Sequence, residues 1–177
     1  MSSSFESHRP VLEYALNKQG RSVLEVGGGN TSTPLIINNS FKSITYENDL
    51  EWYNRISNLS CENHEVVYES DLVGKVRELT VGATPYAFSL AFIDSNVWLD
   101  RCKIVSMLMG NAEVILLHDS FPEHLHRCIE GNALIPPFVY SLNLYPLVPA
   151  NPAYPPTLIL SDVVDVTKWE IPGLTPG

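Results

Sequence analysis

VLEVGGGNTSTP, residues 23–34, runs from an aliphatic segment through three glycines to hydroxyl residues and a proline. An apolar run that stops at glycine reads as a buried strand entering a tight turn. A Ser/Thr residue followed by Pro34 reads as the capped start of a helix. The segment therefore reads strand, glycine turn, helix. Glycines let a backbone approach a ligand closely, and a helix N-terminus offers free N–H groups. This is the local chemistry of a nucleotide cradle.

A second short strand, Ser43–Tyr46, ends at Glu47, twenty residues after Gly27. An acid at the tip of the second strand accepts hydrogen bonds from ribose hydroxyls in nucleotide-binding α/β folds. The turn itself reads Glu25-x-Gly27-x-Gly29-x-Thr31. It fits the dinucleotide fingerprint GxGxxG poorly, because Ser32 stands where the third glycine would be. It resembles motif I of the class I S-adenosylmethionine-dependent methyltransferases, acid-x-Gly-x-Gly-x-small, with Thr31 in place of the third glycine of the strictest form.

At 177 residues the chain is long enough for one domain with a sizeable core, and one domain over 1–177 is expected. Hydrophobic residues make up 45% and charged residues 18%, an ordinary globular balance. The net charge is −9 and the pI about 4.9, with no Lys/Arg run, which argues against nucleic acid as a partner. Cys61, Cys102 and Cys128 are scattered without a CxxC, a pattern of reduced thiols in a cytoplasmic protein. No apolar run approaches the roughly 18 residues of a membrane span. The first residues lack the apolar stretch of a signal peptide.

Helices are expected over Pro10–Lys18, Pro34–Asn39, Asp49–Leu59, Leu72–Leu79 and Leu99–Met109. The helix over Asp49–Leu59 would bury Leu50, Tyr53 and Ile56 on one face. Strands are expected over Ser22–Val26, Ser43–Tyr46, Glu65–Tyr68, Ser89–Ile93, Glu113–Leu117, Pro136–Leu147 and Thr157–Asp165. Alternation of this kind predicts a Rossmann-like, doubly wound α/β sheet. The proline-rich loop before Thr157 predicts an antiparallel last strand on a mostly parallel seven-stranded sheet, which is the methyltransferase pattern. Ligands of such sheets sit at the carboxyl ends of the strands. Polar residues stand at each of those ends: Gly27–Thr31, Glu47 and Asn48, Ser70 and Asp71, Asp94–Asn96, and His118–Ser120.

The resemblance implies S-adenosylmethionine as cofactor. By position, Gly27, Gly28, Gly29 and Thr31 would face its methionine part, with Glu25 ordering the loop. Glu47 and Asn48 would take the ribose, Ser70 and Asp71 the adenine, and Asp94 would border the same site. The segments AFIDSN (91–96) and ILLHDSF (115–121) resemble a branch of these enzymes with F-I-D and H-D-S motifs after strands four and five. In some relatives the two acids, here Asp94 and Asp119, hold Mg²⁺ or another divalent ion that lowers the pKa of an acceptor hydroxyl. Ser120 would be a third oxygen ligand. In a metal-free alternative His118 is the general base. His124 and His126 read as surface residues, Trp52, Trp98 and Tyr53 as packing, and Arg101 as an ion-pair partner within the fold. The expected activity is methyl transfer to a hydroxyl or amine of a small-molecule or sugar-like acceptor. The alternatives are a catalytically silent binding module and a non-methylating enzyme using the same cofactor. A second copy of the chain is left open as a partner.

Overall fold

A computed structural model describes residues 7–121, 135, 137–146 and 155–176. The chain runs α1 (Arg9–Gln19), β1 (Ser22–Val26), α2 (Ser32–Asn39), β2 (Lys42–Glu47), α3 (Leu50–Ile56), β3 (His64–Tyr68) and α4 (Leu72–Thr80). It continues through β4 (Phe88–Ile93), α5 (Trp98–Leu108), β5 (Ala112–His118), β6 (Tyr140–Pro146), β7 (Thr157–Ser161) and β8 (Leu174–Pro176). All eight strands form one sheet in the order β3-β2-β1-β4-β5-β7-β6-β8.

Strands β1 to β5 pair in parallel, and β7 is antiparallel to both β5 and β6. This is the expected doubly wound, mostly parallel sheet, and β7, the expected last strand, is antiparallel, lying between β5 and β6. The eighth strand was not anticipated. It adds antiparallel to β6 at the edge, and its three residues, Leu174–Pro176, are too few for a periodic pattern.

The aliphatic strands read as continuous apolar runs because both faces of the sheet are covered. Alternate residues feed two cores. Val23, Leu90, Phe92, Val114 and Leu116 pack against Val11, Leu12, Ala15 and Leu16 of α1 and Ile36 of α2. Leu24, Val26, Ala91, Ile93, Ile115 and Leu117 pack against α4 and α5 through Leu72, Val76, Ile104, Val105 and Leu108.

Three expectations are corrected. Leu50 is 57% exposed and α3 buries only Ile56, because Asp49 caps a two-turn helix that ends in a separate 3₁₀ turn over Ser57–Leu59. β7 stops at Ser161, whose hydroxyl accepts the N–H groups of Val163 and Val164 and turns the chain. Cys102, buried on α5, is disulfide-bonded, while Cys61 is free and exposed. The ground for three reduced thiols, and with it for a cytoplasmic setting, is removed; sequence spacing cannot reveal such pairing. Cys128, His124, His126 and most of the proline-rich loop lie outside the described residues. Among the described residues no helix is long and apolar enough to cross a membrane.

Candidate functional site

The strand order reverses between β1 and β4, and a cleft of about 480 Å³ opens at the carboxyl ends of the strands there. One side is built by Gly28, Gly29, Asn30, Thr31, Ser32, Glu47 and Trp52. The other is built by His8, Asp94, Asn96, Arg101, His118, Asp119 and Pro155.

The three glycines answer different demands. Gly27 has φ +89°, and a Cβ there would lie 2.4 Å from the Ser95 nitrogen and 2.5 Å from the Asp94 carbonyl carbon. It lets the ends of β1 and β4 pass closely at the switch point. At Gly28 a Cβ would meet the Ile56 methyl at 2.3 Å. At Gly29 the conflict is milder, with the Ser32 hydroxyl 3.1 Å from such an atom.

Beneath the turn lies Glu25, fully buried. Its Oε2 accepts hydrogen bonds from Thr33 Oγ1 at 2.8 Å and Thr45 Oγ1 at 2.6 Å. Burial pushes its pKa up to about 7, against the hydroxyls of Ser32, Thr45 and Thr33. The expected helix cap takes another form. Thr31 caps α2 with no side-chain bond, while Thr33 Oγ1 accepts the Gly29 N–H at 3.1 Å and donates its own O–H to Glu25 Oε2.

Glu47 reaches the cleft. Its two carboxylate oxygens accept the N–H groups of Gly28 and Asp49, each at 2.7 Å. Burial raises its pKa, opposed by the N–H groups of Asp49, Gly28 and Asn48. Three N–H donors leave about one lone pair of the carboxylate for a ligand hydroxyl. Asn48 is half-buried beside it, and its Oδ1 has no hydrogen-bond partner. Ser70 and Asp71 are exposed and outside the cleft wall. Asp71 instead caps α4, accepting the Gly74 N–H at 2.8 Å.

Across the cleft, His118 Nδ1 lies 3.1 Å from Asp94 Oδ1, and its Nε2 lies 3.0 Å from Ser7 Oγ. Burial alone would raise the Asp94 pKa, but His118 and Arg101 outweigh it and hold the carboxyl below its ordinary value. A charged Asp94 requires the proton on His118 Nδ1 and leaves the Nε2 lone pair facing Ser7. His8, the residue before α1, is buried against this pair, with the two imidazole rings 4.7 Å apart. Burial, and then His118, lower its pKa to about 4, and neither of its ring nitrogens has a partner. Nothing in the sequence around His8 signals this, since the contact to His118 spans the chain.

Arg101, 4% exposed, ties the same side together as an ion-pair partner within the fold, as expected. Its Nη2 is 3.1 Å from Asp94 Oδ1 and its Nη1 3.5 Å from Asp119 Oδ2. Asp119 adopts φ +56°, a left-handed backbone that strained turns at sites often hold. Ser120 is fully buried and donates to Asn143 Oδ1 at 3.0 Å, so it is turned away from any shared ligand position. A guanidinium already bridges the two acids, so these residues do not fit a divalent ion between them. Among the described residues, His8, Asp94 and His118 also offer ligand atoms within 4.8 Å of one another. Trp52 lines the cleft, Trp98 stacks on Arg101 at 4.8 Å, and Tyr53 packs edge-on to Tyr68.

No family model matches the sequence, and no curated protein does. Solved structures do match. An O-methyltransferase from Bacillus cereus in complex with S-adenosylhomocysteine superposes with a TM-score of 0.63 at 16% identity, over 90% of this chain and 81% of that one. The O-methyltransferase TomG from Streptomyces achromogenes, in complex with S-adenosylmethionine, gives 0.62 at 16% identity, over 89% and 87%. The bifunctional kinase-methyltransferase WbdD gives 0.60 at 15% identity, over 97% of this chain but 42% of its own. The chain thus spans about two fifths of WbdD. An rRNA methylase from Streptococcus thermophilus gives 0.55 at 17% identity, over 87% of this chain and 95% of that one. The chain thus shares the Rossmann-like α/β fold of these methyltransferase structures.

Proposed function

We propose that this chain transfers the methyl group of S-adenosylmethionine to a hydroxyl, or an amine, of a small-molecule or sugar-like acceptor. The reading is carried by the opposition of Glu47 and His118 across one cleft, a ribose acceptor facing a proton acceptor. Gly28, Gly29 and Thr31 line the same side of the cleft as Glu47, where a nucleoside-bearing ligand would lie. When bound, the cofactor supplies a methyl group already activated on a sulfonium.

Glu47 accepts a ribose hydroxyl on its remaining lone pair. Gly28 and Gly29 bring the backbone against the ligand, and Trp52 excludes water beside them. Asp94 holds the His118 ring by its Nδ1–H and turns Nε2 toward Ser7 Oγ, which an acceptor hydroxyl would displace to give up its proton there. Ser7 Oγ marks the place of the acceptor oxygen, 3.0 Å from that nitrogen. The net charge of −9 disfavours a polyanionic acceptor. No divalent ion enters this scheme.

The test is incubation with methyl-labelled S-adenosylmethionine and a panel of hydroxyl and amine acceptors, with and without chelator. Label transferred in chelator by the wild type and lost in His118→Ala is expected. Label transferred equally by both would remove His118 from the reaction. Cofactor binding without transfer to any acceptor would favour the silent module, and cofactor cleavage without methylation the non-methylating enzyme.

A further inference from the structure

We infer that Arg101 is the resident cation of this centre, its guanidinium filling an oxygen cage between β4 and β5 that would otherwise hold a divalent metal ion. Four oxygens converge on it. Nε donates to the Ser95 carbonyl and Nη1 to the His118 carbonyl, the latter at 2.9 Å. The carboxylates of Asp94 and Asp119 stand at 3.1 and 3.5 Å from Nη2 and Nη1.

Two carboxylates and two main-chain carbonyls are the ligand types that hard divalent cations take. The five N–H donors of arginine, fixed in a plane and always charged, suit the same set. Trp98 covers the guanidinium at 4.8 Å, and the side chain is 5% exposed, so the charge is built in rather than borrowed from solvent. A buried arginine is tolerable only beside its acids, and two half-buried acids this close together gain from a cation between them. One residue meets both needs. Arg101 thereby acts as a positioning residue: it fixes Asp94, which orients His118, and it holds the carbonyl of His118 itself. The inference concerns cation binding and holds whether or not the chain transfers methyl groups.

The test reads Mn²⁺ binding by electron paramagnetic resonance and calorimetry, with Mg²⁺ as competitor, on the full chain. Wild type is expected to show no saturable binding tighter than roughly 1 mM, the weak end of oxygen-ligated protein sites. Arg101→Ala empties the cage and should gain Mn²⁺ affinity by at least tenfold. Arg101→Ala combined with Asp119→Asn should lose that gain. A merely structural arginine would leave Mn²⁺ affinity unmoved in Arg101→Ala, and that result overturns the inference. So does saturable binding by wild type, whether lost in Asp119→Asn or in His8→Gln. Saturable binding by wild type overturns the inference even if Arg101→Ala does not fold, and Arg101→Gln, which removes the charge but keeps the bulk, supplies the second variant for the expected gain.

Discussion

Glu25 and Glu47, beside the glycine turn, give their oxygens to hydroxyls and backbone N–H groups. Asp94 and Asp119, across the cleft, give theirs to Arg101 and His118. Neutral donors leave a buried carboxylate dear to ionise, and Glu25 accordingly sits near 7. The guanidinium and imidazole beside Asp94 reverse the sign, and its carboxyl stays below its ordinary value although burial opposes it. The same fold thus keeps one side soft in charge, ready for ligand hydroxyls, and the other locked in charge, ready to orient a proton acceptor.

The largest effects should come from breaking the seam where the two sides meet. Gly27→Val puts a branched side chain into the Asp94–Ser95 backbone at a positive φ. A loss of about 3–5 kcal/mol, or no folded protein, is expected in chemical denaturation. Gly29→Val should fold, since only the Ser32 hydroxyl must give way, and should instead lose S-adenosylhomocysteine binding. Equal stability of the two variants would contradict the separate roles. Asp94→Ala leaves the buried guanidinium with Asp119 and two carbonyls only, and should cost about 3 kcal/mol.

Protonation separates the sides more finely. Glu25 has a folded pKa of about 7 against an ordinary 4.5, so the folded state holds the extra proton. Its contribution to stability is full below 4.5 and falls as pH rises toward 7, by about 3 kcal/mol. His8 runs the other way. Its pKa is depressed to about 4 from 6.5, so the folded state holds fewer protons and stability rises with pH between those values. The two slopes oppose each other in wild type. Glu25→Gln should uncover a stability that rises with pH, and His8→Phe one that falls, in denaturation midpoints measured from pH 4 to 7. Profiles unchanged in both variants would contradict the assigned charge states. The smallest effect should be that of Thr45→Val, which removes one of two hydroxyls on Glu25 and should cost about 1 kcal/mol in the same denaturation assay. A loss matching that of Asp94→Ala would erase the distinction between the sides.

The glycine-turn side was legible because its parts are neighbours in sequence. The acid, glycines and hydroxyls of residues 25–33 assemble within one turn, and Glu47 follows on the adjacent strand. What sequence could not show is the division of labour there: Gly27 serves the β4 crossing and Thr33 serves Glu25, because both demands come from neighbours in space. The other side was legible only in part. Asp94, His118 and Asp119 stand at strand ends, where polarity is visible in the chain. Ser7 and His8 reach them across 111 and 110 positions, and no periodicity carries that information. Arg101 was placed in an ion pair but not between both acids, since its cage is closed by two carbonyls that every residue possesses. Ser70 and Asp71 share the correct sheet edge yet stay outside the cleft, as Asp71 is committed to capping α4.

The most direct measurement is calorimetry of S-adenosylhomocysteine and its 2′-deoxy analogue against wild type and Glu47→Ala. A single site in wild type is expected, weakened about ten- to a hundredfold in the variant, the range of charge-assisted hydrogen bonds. The analogue should lose less further affinity in the variant than in wild type, because Glu47 is the group that reads the ribose. The absence of binding to wild type, or equal losses in both proteins, would contradict the account.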